Sequence, residues 1–219
     1  MNVLGRGVYT VAEAARLTKL RGRRVREWFR GRQSPNRIFR PVFQSDYPVL
    51  DQEFAISFLD LIELNIAGKL RERVSLAILR KSYHHLRREF GDHPFCRRQV
   101  YVGGKQIFTT GLDDAESDGF LEAMTDQLYF ETVIRPFLTR IDYDDATKQA
   151  ARWNIADLVV VDPRFRFGKP VVEQTGISTT VLSRSYHANG ADADRVAKWF
   201  AVEPRHVMAA VAFENSLAA

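Results

Sequence analysis

The stretch from Thr10 to Arg32, TVAEAARLTKLRGRRVREWFRGR, constrains the fold of this chain more than any other part of it. Thr10 and Glu13 have the S/T-x-x-E spacing of a capping box, in which each side chain binds the backbone N–H of the other residue. This pair predicts a helix that begins at Val11 and ends near Lys19. The expected apolar face of this helix consists of Ala12, Ala15 and Leu17.

A second, basic helix is expected to follow the turn that Gly22 marks. It would run from about Arg23 to Arg30, and Gly31 suits the position after its last residue. Its buried face would consist of Val25, Trp28 and Phe29, spaced i, i+3, i+4. The opposite face would carry Arg23, Arg26 and Arg30, with Arg24 on the flank. Two short helices joined by a glycine turn are typical of a helix-turn-helix, whose second helix reads DNA.

Positive charge is concentrated at the start of the chain. Residues 1–40 hold eleven bases and two acids, a net charge of +9, whereas the remaining residues hold twenty-one bases and twenty-five acids, a net charge of −4. A basic head on a faintly acidic body is typical of a protein that binds a polyanion. The alternative is a solvated arginine-rich helix without a partner, in which these charges repel one another.

A β-hairpin is expected after the two helices. Residues 33–36 have turn chemistry, and the alternation of polar and apolar residues over 37–43 predicts a strand. Val49-Leu50 could pair with this strand across a turn at 45–48 and form a wing; the hairpin could also be a simple connection. The side chains expected to contact DNA are Arg21, Arg23, Arg24, Arg26, Arg30, Arg32, Arg37 and Arg40.

Apolar stripes predict two further helices, over residues 53–67 and 75–90. With YTVAEAARLT, the basic helix and the short wing, the segment from Val8 to Glu89 resembles the DNA-binding head of MerR-type regulators. The resemblance implies later helices that pack against the head or build a dimer. Because helix-turn-helix proteins usually bind as two-fold dimers, we expect a homodimer that uses these stripes or the final helix. Stripes of this kind are more often ordinary core than interface.

Residues 95–154 are expected to form a connector. Gly103-Gly104 lies between two β-prone runs, which predicts a hairpin. A helix is expected from Phe120 to Leu138, and residues 141–145 are acidic and turn-like. The expected domains are residues 1–94, 95–154 and 155–219. The expected fold class is α+β, mainly α with short β-hairpins: a winged helix-turn-helix head, a middle hairpin and helix, and a small C-terminal domain that is itself helix-turn-helix-like.

The last segment predicts short strands followed by helices. The expected strands are Leu158 to Val161 and Pro170 to Val172. The expected helices are one capped by Ser178 that reaches His187, one led by Asp192 and Asp194 that reaches Phe200, and one that opens at Pro204.

This segment resembles a second family. VVVDPRFRFGKPVVEQTGISTTVL and NGADADRVAKWFAVEPRHVMAAVAFEN are similar to the small domain of unknown function numbered four hundred and thirty-three, which in many bacteria is described as a VapB-type antitoxin. The matching landmarks are Asp162-Pro163, Gly168-Lys169-Pro170, Thr175, Ile177, Gly190, Val196 and Ala210. A winged head ahead of this domain resembles antitoxins paired with a PIN-like ribonuclease, so the resemblance implies double-stranded operator DNA and such a toxin as partners.

The loop from Arg164 to Pro170 alternates basic and aromatic side chains. It could enter the acidic, metal-binding pocket of a PIN-like ribonuclease, grip nucleic acid by stacking and charge, or be a turn whose phenylalanines fill the small domain's core. Aromatic residues and arginine dominate interface energies. The residues expected to bind the toxin are Arg164, Phe165, Arg166, Phe167 and Lys169.

No arrangement of residues predicts an enzyme. The histidines and the single cysteine, Cys96, lack the spacing of a zinc site, and Gly103-Gly104-Lys105 lacks the rest of a P-loop. We therefore expect no cofactor and no metal. A single cysteine excludes an intramolecular disulfide, and no apolar run approaches the ~20 residues that span a bilayer. A cytoplasmic protein without membrane contact is expected.

The sequence favours the antitoxin of a type II toxin–antitoxin pair, which binds operator DNA, represses its own operon and neutralises a PIN-like ribonuclease. The alternative is a stand-alone MerR-like transcriptional regulator that senses a small ligand. A neighbouring gene for a small ribonuclease with an acidic site would decide between these two hypotheses.

Overall fold

The computed structural model describes residues 4–35, 37–47, 54–72, 74–98 and 135–218. The chain has an α+β fold and forms two compact units, the first of which begins at Tyr9 and ends at Ala151. The second, C-terminal unit begins at Arg152 and also includes the start of the chain up to Val8, whose backbone N–H donates to the carbonyl of Phe167 at 2.9 Å. Among the described residues, every helix is too short or too polar to span a lipid bilayer.

Two short helices open the N-terminal unit. Helix α1 spans Val11–Thr18, and the capping box predicted at its start is confirmed. Thr10 Oγ1 accepts the Glu13 N–H at 3.2 Å, and the Glu13 carboxylate accepts the Thr10 N–H at 2.9 Å. Helix α2 spans Gly22–Arg30, so Gly22, which was expected in the turn, is its first residue. Gly31 follows the helix, as predicted.

A two-stranded hairpin follows α2, and it differs from the prediction. Strand β1 spans Arg32–Ser34 and pairs antiparallel with β2, Arg37–Phe39. The loop expected at residues 33–36 is therefore partly strand, and β1 takes the position expected for Val49-Leu50. Those two residues themselves lie outside the described residues.

The strand that was expected to reach residue 43 ends at Phe39. After Pro41, which has no N–H for a sheet ladder, the backbone N–H groups of Val42 and Phe43 donate to the carbonyl of Trp28 at 2.7 and 3.0 Å. The backbone therefore satisfies a terminal carbonyl of α2 instead of continuing the strand.

Two longer helices form the body of this unit. Helix α3 spans Phe58–Leu70 and α4 spans Leu76–Phe90. Ser57 caps the first and Ser75 caps the second. The helix expected over 53–67 begins later than predicted because the serine cap fixes its first residue.

The apolar stripes of α3 and α4 are buried within the chain. The buried residues on these stripes include Phe58, Leu61, Ile62 and Ile66 on α3 and Leu79, Tyr83 and Leu86 on α4. Both helices contact a short 3₁₀ turn at Pro94–Cys96. Stripes that their own chain covers are core, so the expectation that they form a dimer interface was wrong, and a homodimer has to use other side chains.

The rest of the N-terminal unit is described from residue 135 onwards. Helix α5 spans Arg135–Leu138 and strand β3 spans Ile141–Tyr143. The turn expected from residue 141 begins instead at Asp144, whose carboxylate accepts the N–H groups that follow it. The hairpin expected at Gly103-Gly104 and most of the helix expected over 120–138 lie outside the described residues.

The C-terminal unit is a small antiparallel sheet with three helices, of which the first and third contact its strands and the second packs against the other two helices. Its strands are β4 at Ala150–Ala156, which begins in the N-terminal unit next to β3, then β5 at Val159–Val161, β6 at Val171–Val172 and β7 at Ile177–Ser178. Its helices are α6 at Thr179–Ala188, α7 at Ala193–Phe200 and α8 at Pro204–Ala218. Each strand pairs with the next along the chain, so Val159 lies opposite Val172.

The core of the C-terminal unit forms where the helices meet the sheet. Its buried residues are Val172, Leu182, Val196, Ala197, Val207 and Ala210. Asp192 caps α7 by accepting the Arg195 N–H at 2.9 Å. Ser178 stands at the predicted cap position of α6, but its side chain makes no capping hydrogen bond, and the N–H of Thr179 donates to the carbonyl of Pro170 instead.

Candidate nucleic-acid interface

The arginines of α2 point outward because the helix buries its opposite face. Val25, Trp28 and Phe29 are buried as predicted, and the rings of Trp28 and Phe29 lie 6.0 and 5.5 Å from the ring of Phe43. This packing fixes the rotation of α2 about its axis. The exposed arginines of this region are Arg21, Arg23, Arg24, Arg26, Arg30, Arg32 and Arg40. The backbone of Arg37 lies in β2, and its side chain is outside the described part of the chain.

One acidic residue partly neutralises this surface. Glu27 Oε1 accepts the Nε–H of Arg23 at 2.8 Å and lies 3.8 Å from Nη1 of Arg32. Exposed ion pairs of this kind contribute little to stability and break readily. Arg21, Arg24 and Arg26 form no ion pair with any residue that the structure describes. Their charges are therefore available to a polyanion.

The positive charge of Arg24 interacts electrostatically with the guanidinium of Arg71. Arg71 follows the last residue of α3, and its Nη1 donates to the carbonyl of Val74. Partial burial lowers the pKa of Arg71, and the positive charge of Arg24 lowers it further. Two cations that the fold holds near each other create a positive potential that a phosphate would relieve. Arg71 is not among the arginines predicted to bind DNA, because it lies far along the chain from the basic stretch.

The hairpin is held in place from α4. Arg80 donates from Nη2 to the carbonyl of Arg40 at 2.8 Å and from Nε to the carbonyl of Pro41 at 3.3 Å. On the hairpin itself, the guanidinium of Arg32 lies 5.0 Å from the ring centroid of Phe39. These contacts fix the two exposed hairpin arginines, Arg32 and Arg40, relative to the rest of the unit.

The segment that joins β5 to β6 in the C-terminal unit, residues 162–170, exposes its aromatic side chains; we call it the aromatic loop. Phe165 is 59% exposed and Phe167 is 52% exposed. The interpretation in which these rings fill the core of the small domain is therefore wrong. Two large apolar side chains on one short loop form a surface that a partner can bury.

The arginines of the aromatic loop are bound to their own unit. Arg164 donates from Nε and Nη2 to the carboxylate of Asp162 at 2.9 and 2.6 Å, and its backbone N–H donates to the same carboxylate at 2.9 Å. Arg166 donates from Nε to the carbonyl of Gly176 at 2.8 Å. Because Asp162 is almost completely buried, its pairing with Arg164 shapes the loop and reduces the charge that Arg164 can offer to an acidic partner.

The backbone of the aromatic loop is strained. Arg166 and Phe167 have φ angles of 46° and 56°, in the left-handed region. Such a conformation costs about 1–3 kcal/mol for each residue other than glycine, and it is concentrated at functional sites. Two backbone hydrogen bonds hold the turn. The Gly168 N–H donates to the carbonyl of Phe165 at 2.8 Å, and the Val8 N–H donates to the carbonyl of Phe167.

A group of ionisable side chains lies buried in the N-terminal unit; we call Asp46, Asp60, Glu63 and His93 the His93 cluster. His93 Nε2 lies 2.9 Å from Asp46 Oδ1, and His93 Nδ1 lies 3.2 Å from Glu63 Oε2 and 3.9 Å from Asp60 Oδ1. The hydroxyl of Tyr83 donates to Glu63 Oε2 at 2.9 Å. None of these residues was predicted as a site, although two acids spaced i, i+3, Asp60 and Glu63, interrupt the apolar helix α3.

Burial shifts the pKa values of this cluster. Burial raises the pKa of Asp60 to about 7. The positive charge of His93 lowers this pKa, whereas the nearby carboxylates of Asp46 and Glu63 raise it. Burial alone would lower the pKa of His93, but hydrogen bonds with Asp46 and Glu63 raise it to about 11. The protons and charges of these side chains therefore depend on one another.

Comparisons with known proteins give a family match for one segment and a fold match for the chain. Residues 159–213 match the family described as protein of unknown function, DUF433. The fold is similar to the X-ray crystal structure of Rv2018 from Mycobacterium tuberculosis, with a TM-score of 0.73 and 19% sequence identity, covering 93% of this chain and 96% of that chain. No curated protein matches the chain. At this identity the structural likeness is one of fold alone.

Proposed function

We propose that this protein is the antitoxin of a type II toxin–antitoxin pair. In this proposal the N-terminal unit is a MerR-like winged head that binds operator DNA and represses the protein's own operon, and the C-terminal unit neutralises a PIN-like ribonuclease. The observation that carries the DNA-binding half is the exposed face of α2. Its arginines project from a short helix whose opposite face is fixed by aromatic packing.

The charges around α2 suit a recognition helix. Arg21, Arg24 and Arg26 form no ion pair with a described residue, and Arg24 acts together with Arg71. Arginine binds phosphate and reads guanine edges bidentately, so α2 is the element that we place in the major groove. The hairpin then lies beside it as the wing, with Arg32 and Arg40 as phosphate contacts.

A homodimer completes the DNA-binding proposal. A helix as short as α2, Gly22–Arg30, reaches few base pairs. Helix-turn-helix proteins extend their sites by binding two half-sites ~34 Å apart through a two-fold dimer. The operator of this protein is therefore expected to be an inverted repeat.

The aromatic loop supports the toxin-binding half of the proposal. A PIN-like ribonuclease holds its metal with a cluster of carboxylates, and an antitoxin can occupy that site with cations next to apolar anchors. Phe165 and Phe167 supply the exposed anchors, and Arg166 and Lys169 are close to them in the sequence. Arg164 keeps the loop in shape through Asp162 and is, in this proposal, a positioning residue.

The DNA-binding half is tested by titrating the protein with a fragment of its own promoter over a range of salt concentrations. With ~5 phosphate contacts per head, log affinity should fall with log salt at a slope of about −4 to −5 per monomer. The triple variant Arg21→Ala/Arg24→Ala/Arg26→Ala should lose most of this dependence, and Arg205→Ala, an exposed arginine of the C-terminal unit, should retain it. Salt-insensitive binding, or full affinity of the triple variant, would contradict the assignment.

The toxin-binding half is tested separately by co-expression with the ribonuclease encoded next to this protein. We expect a stable complex by size-exclusion chromatography and loss of ribonuclease activity within it. DNA binding without complex formation would favour the second hypothesis, a stand-alone regulator that senses a small ligand.

A further inference from the structure

The His93 cluster places metal-ligating atoms together inside the N-terminal unit. One ligating atom each from Asp46, Asp60 and His93 lie within 4.8 Å of one another. Asp60 and Glu63 are fully buried and His93 nearly so, whereas Asp46 is half-buried. These residues come from the loop after the hairpin, from α3 and from the start of the 3₁₀ turn. A bound ion would therefore join three segments of the fold.

Two carboxylate oxygens of this cluster have no hydrogen-bond donor among the described residues. They are Asp60 Oδ1 and Glu63 Oε1, both buried. Their sister oxygens are satisfied, since Asp60 Oδ2 accepts the Ser57 N–H at 3.1 Å and Glu63 Oε2 accepts the Tyr83 hydroxyl. A buried carboxylate oxygen without a donor is strongly unfavourable and rare in native proteins. Asp60 Oδ1 lies 3.9 Å from Nδ1 of His93, and the ligating atoms of Asp46, Asp60 and His93 lie within 4.8 Å of one another, so this oxygen is placed to bind a cation.

The charge of the cluster also favours a counter-ion. The buried carboxylates of Asp60 and Glu63 lie beside one imidazole, which already pairs with Asp46 and can offset at most one of their negative charges. No lysine or arginine of the described chain is paired with Asp60 or Glu63. Uncompensated charge in the interior destabilises a fold, and a divalent cation would balance it.

We infer that the His93 cluster is a binding site for one divalent transition-metal cation, with Nε2 of His93, Asp46 and Asp60 as its protein ligands. His93 Nε2 and Asp46 Oδ1 are 2.9 Å apart, a spacing that two ligands of one cation adopt when their bonds to it are ~2.0–2.2 Å long. An imidazole nitrogen with carboxylate oxygens suits Zn²⁺ or Mn²⁺ better than Ca²⁺ or Mg²⁺, which prefer oxygen ligands alone. On binding, the Nε2 proton leaves for solvent.

Glu63 and Tyr83 are placed to orient the metal-binding histidine. When Nε2 binds a metal, Nδ1 keeps its proton and donates it to Glu63 Oε2, which Tyr83 fixes from the other side. Metal-binding histidines regularly donate their second ring N–H to a carboxylate in this way. Asp46 is the outermost ligand, so the cation would enter from its side.

The test uses the full chain, stripped with a chelator, reloaded with Zn²⁺ or Mn²⁺ and passed through gel filtration. Elemental analysis should find one cation per chain, and calorimetric titration at about pH 8 should give its affinity. Asp46→Asn should weaken binding by at least about tenfold. Glu89→Gln, which removes an exposed acid of α4, should bind as the wild type does.

Folding is monitored in parallel. A substitution of the third ligand, such as Asp60→Asn, is not used because it would also alter the cap of α3. Asp46→Asn leaves that cap intact and is therefore the deciding variant. The metal should raise the melting temperature of the wild type and of Glu89→Gln but not that of folded Asp46→Asn. A wild-type protein without bound cation, or equal affinity of the wild type and folded Asp46→Asn, would overturn the site. Neither readout depends on DNA or on a toxin.

Discussion

The carbonyl oxygen of Phe39 stands so close to Gly31 that a Cβ atom on residue 31 would lie 2.3 Å from it. Gly31 has φ 75° and ψ −170°, a conformation that is essentially restricted to glycine. The end of α2 can therefore meet the end of β2 only because residue 31 has no side chain.

We expect Gly31→Ala to destabilise the protein by about 2–5 kcal/mol, through backbone strain and overpacking against Phe39. Urea unfolding followed by circular dichroism measures the change. The matched control is Gly22→Ala, at the start of α2, where the nearest neighbours of a Cβ would lie 3.9 Å away. It should be neutral or stabilise by about 0.5–1 kcal/mol. Equal effects of the two substitutions would contradict the close approach.

Arg71 is expected to contribute to DNA binding although it lies outside the basic stretch. Arg71→Gln should weaken binding to every DNA sequence alike and reduce the salt slope by about 1, the value of one phosphate contact. Fluorescence anisotropy over a salt series measures both. Arg205→Ala serves as the control, since Arg205 pairs with Glu203 in the other unit. An unchanged slope would place Arg71 outside the interface.

Glu214 is expected to stabilise the C-terminal unit. Its Oε1 accepts the hydroxyls of Thr179 and Thr180 at 2.6 and 3.0 Å and so joins α8 to α6. Glu214→Ala leaves the buried Thr179 hydroxyl without this acceptor and should cost about 1–3 kcal/mol. Glu203→Ala, which breaks only an exposed pair with Arg205, should change stability by less than about 1 kcal/mol. Thermal melts of the two variants should separate clearly.

The aromatic loop should tolerate loss of its phenylalanines but not of its ion pair. Phe165→Ala/Phe167→Ala removes exposed rings, so the melting temperature should stay near that of the wild type while ribonuclease neutralisation falls. Arg164→Ala leaves the buried Asp162 without its guanidinium and should lower the melting temperature. Full neutralisation by the double phenylalanine variant would remove these rings from the toxin interface.

Cys96 should be unreactive in the folded protein. Burial raises the pKa of its thiol, nearby carboxylates raise it further, and the thiol donates to the carbonyl of Leu59 at 3.2 Å. Since the thiolate is the reactive form, a thiol reagent at about pH 8 should label the native chain very slowly and the unfolded chain rapidly. Rapid labelling under native conditions would mean that the 3₁₀ turn opens readily.

Local chemistry explains which parts of the fold the sequence predicted. The Thr10–Glu13 box placed α1, and the spacing of Val25, Trp28 and Phe29 placed the buried face of α2, because those interactions span only a few residues. The buried face of α1 was misplaced: it consists of Val11, Ala14 and Leu17, and Ala12 is exposed. Alanines mark a helical face weakly, so packing against α2 and α3 decided it.

Tertiary contacts explain what was missed at the candidate sites. Arg71 acts with Arg24, and His93 joins Asp46 to Glu63, only after distant segments have packed together. No spacing rule connects such residues, so the sequence did not bring them together as a candidate site. The predicted strand over residues 37–43 was too long for a different reason. The alternating pattern continues past Phe39, but Pro41 and the hydrogen bonds to the carbonyl of Trp28 in α2 turn the backbone away.

The bond between the Val8 N–H and the Phe167 carbonyl makes the N-terminal unit an insertion within a host domain. The host is assembled from both flanks of the insert, so no single cut of the polypeptide yields the two units intact. A fragment that starts at Arg152 loses the donor that supports the left-handed turn of the aromatic loop. A C-terminal fragment that is to keep this turn therefore has to retain the segment that ends at Val8.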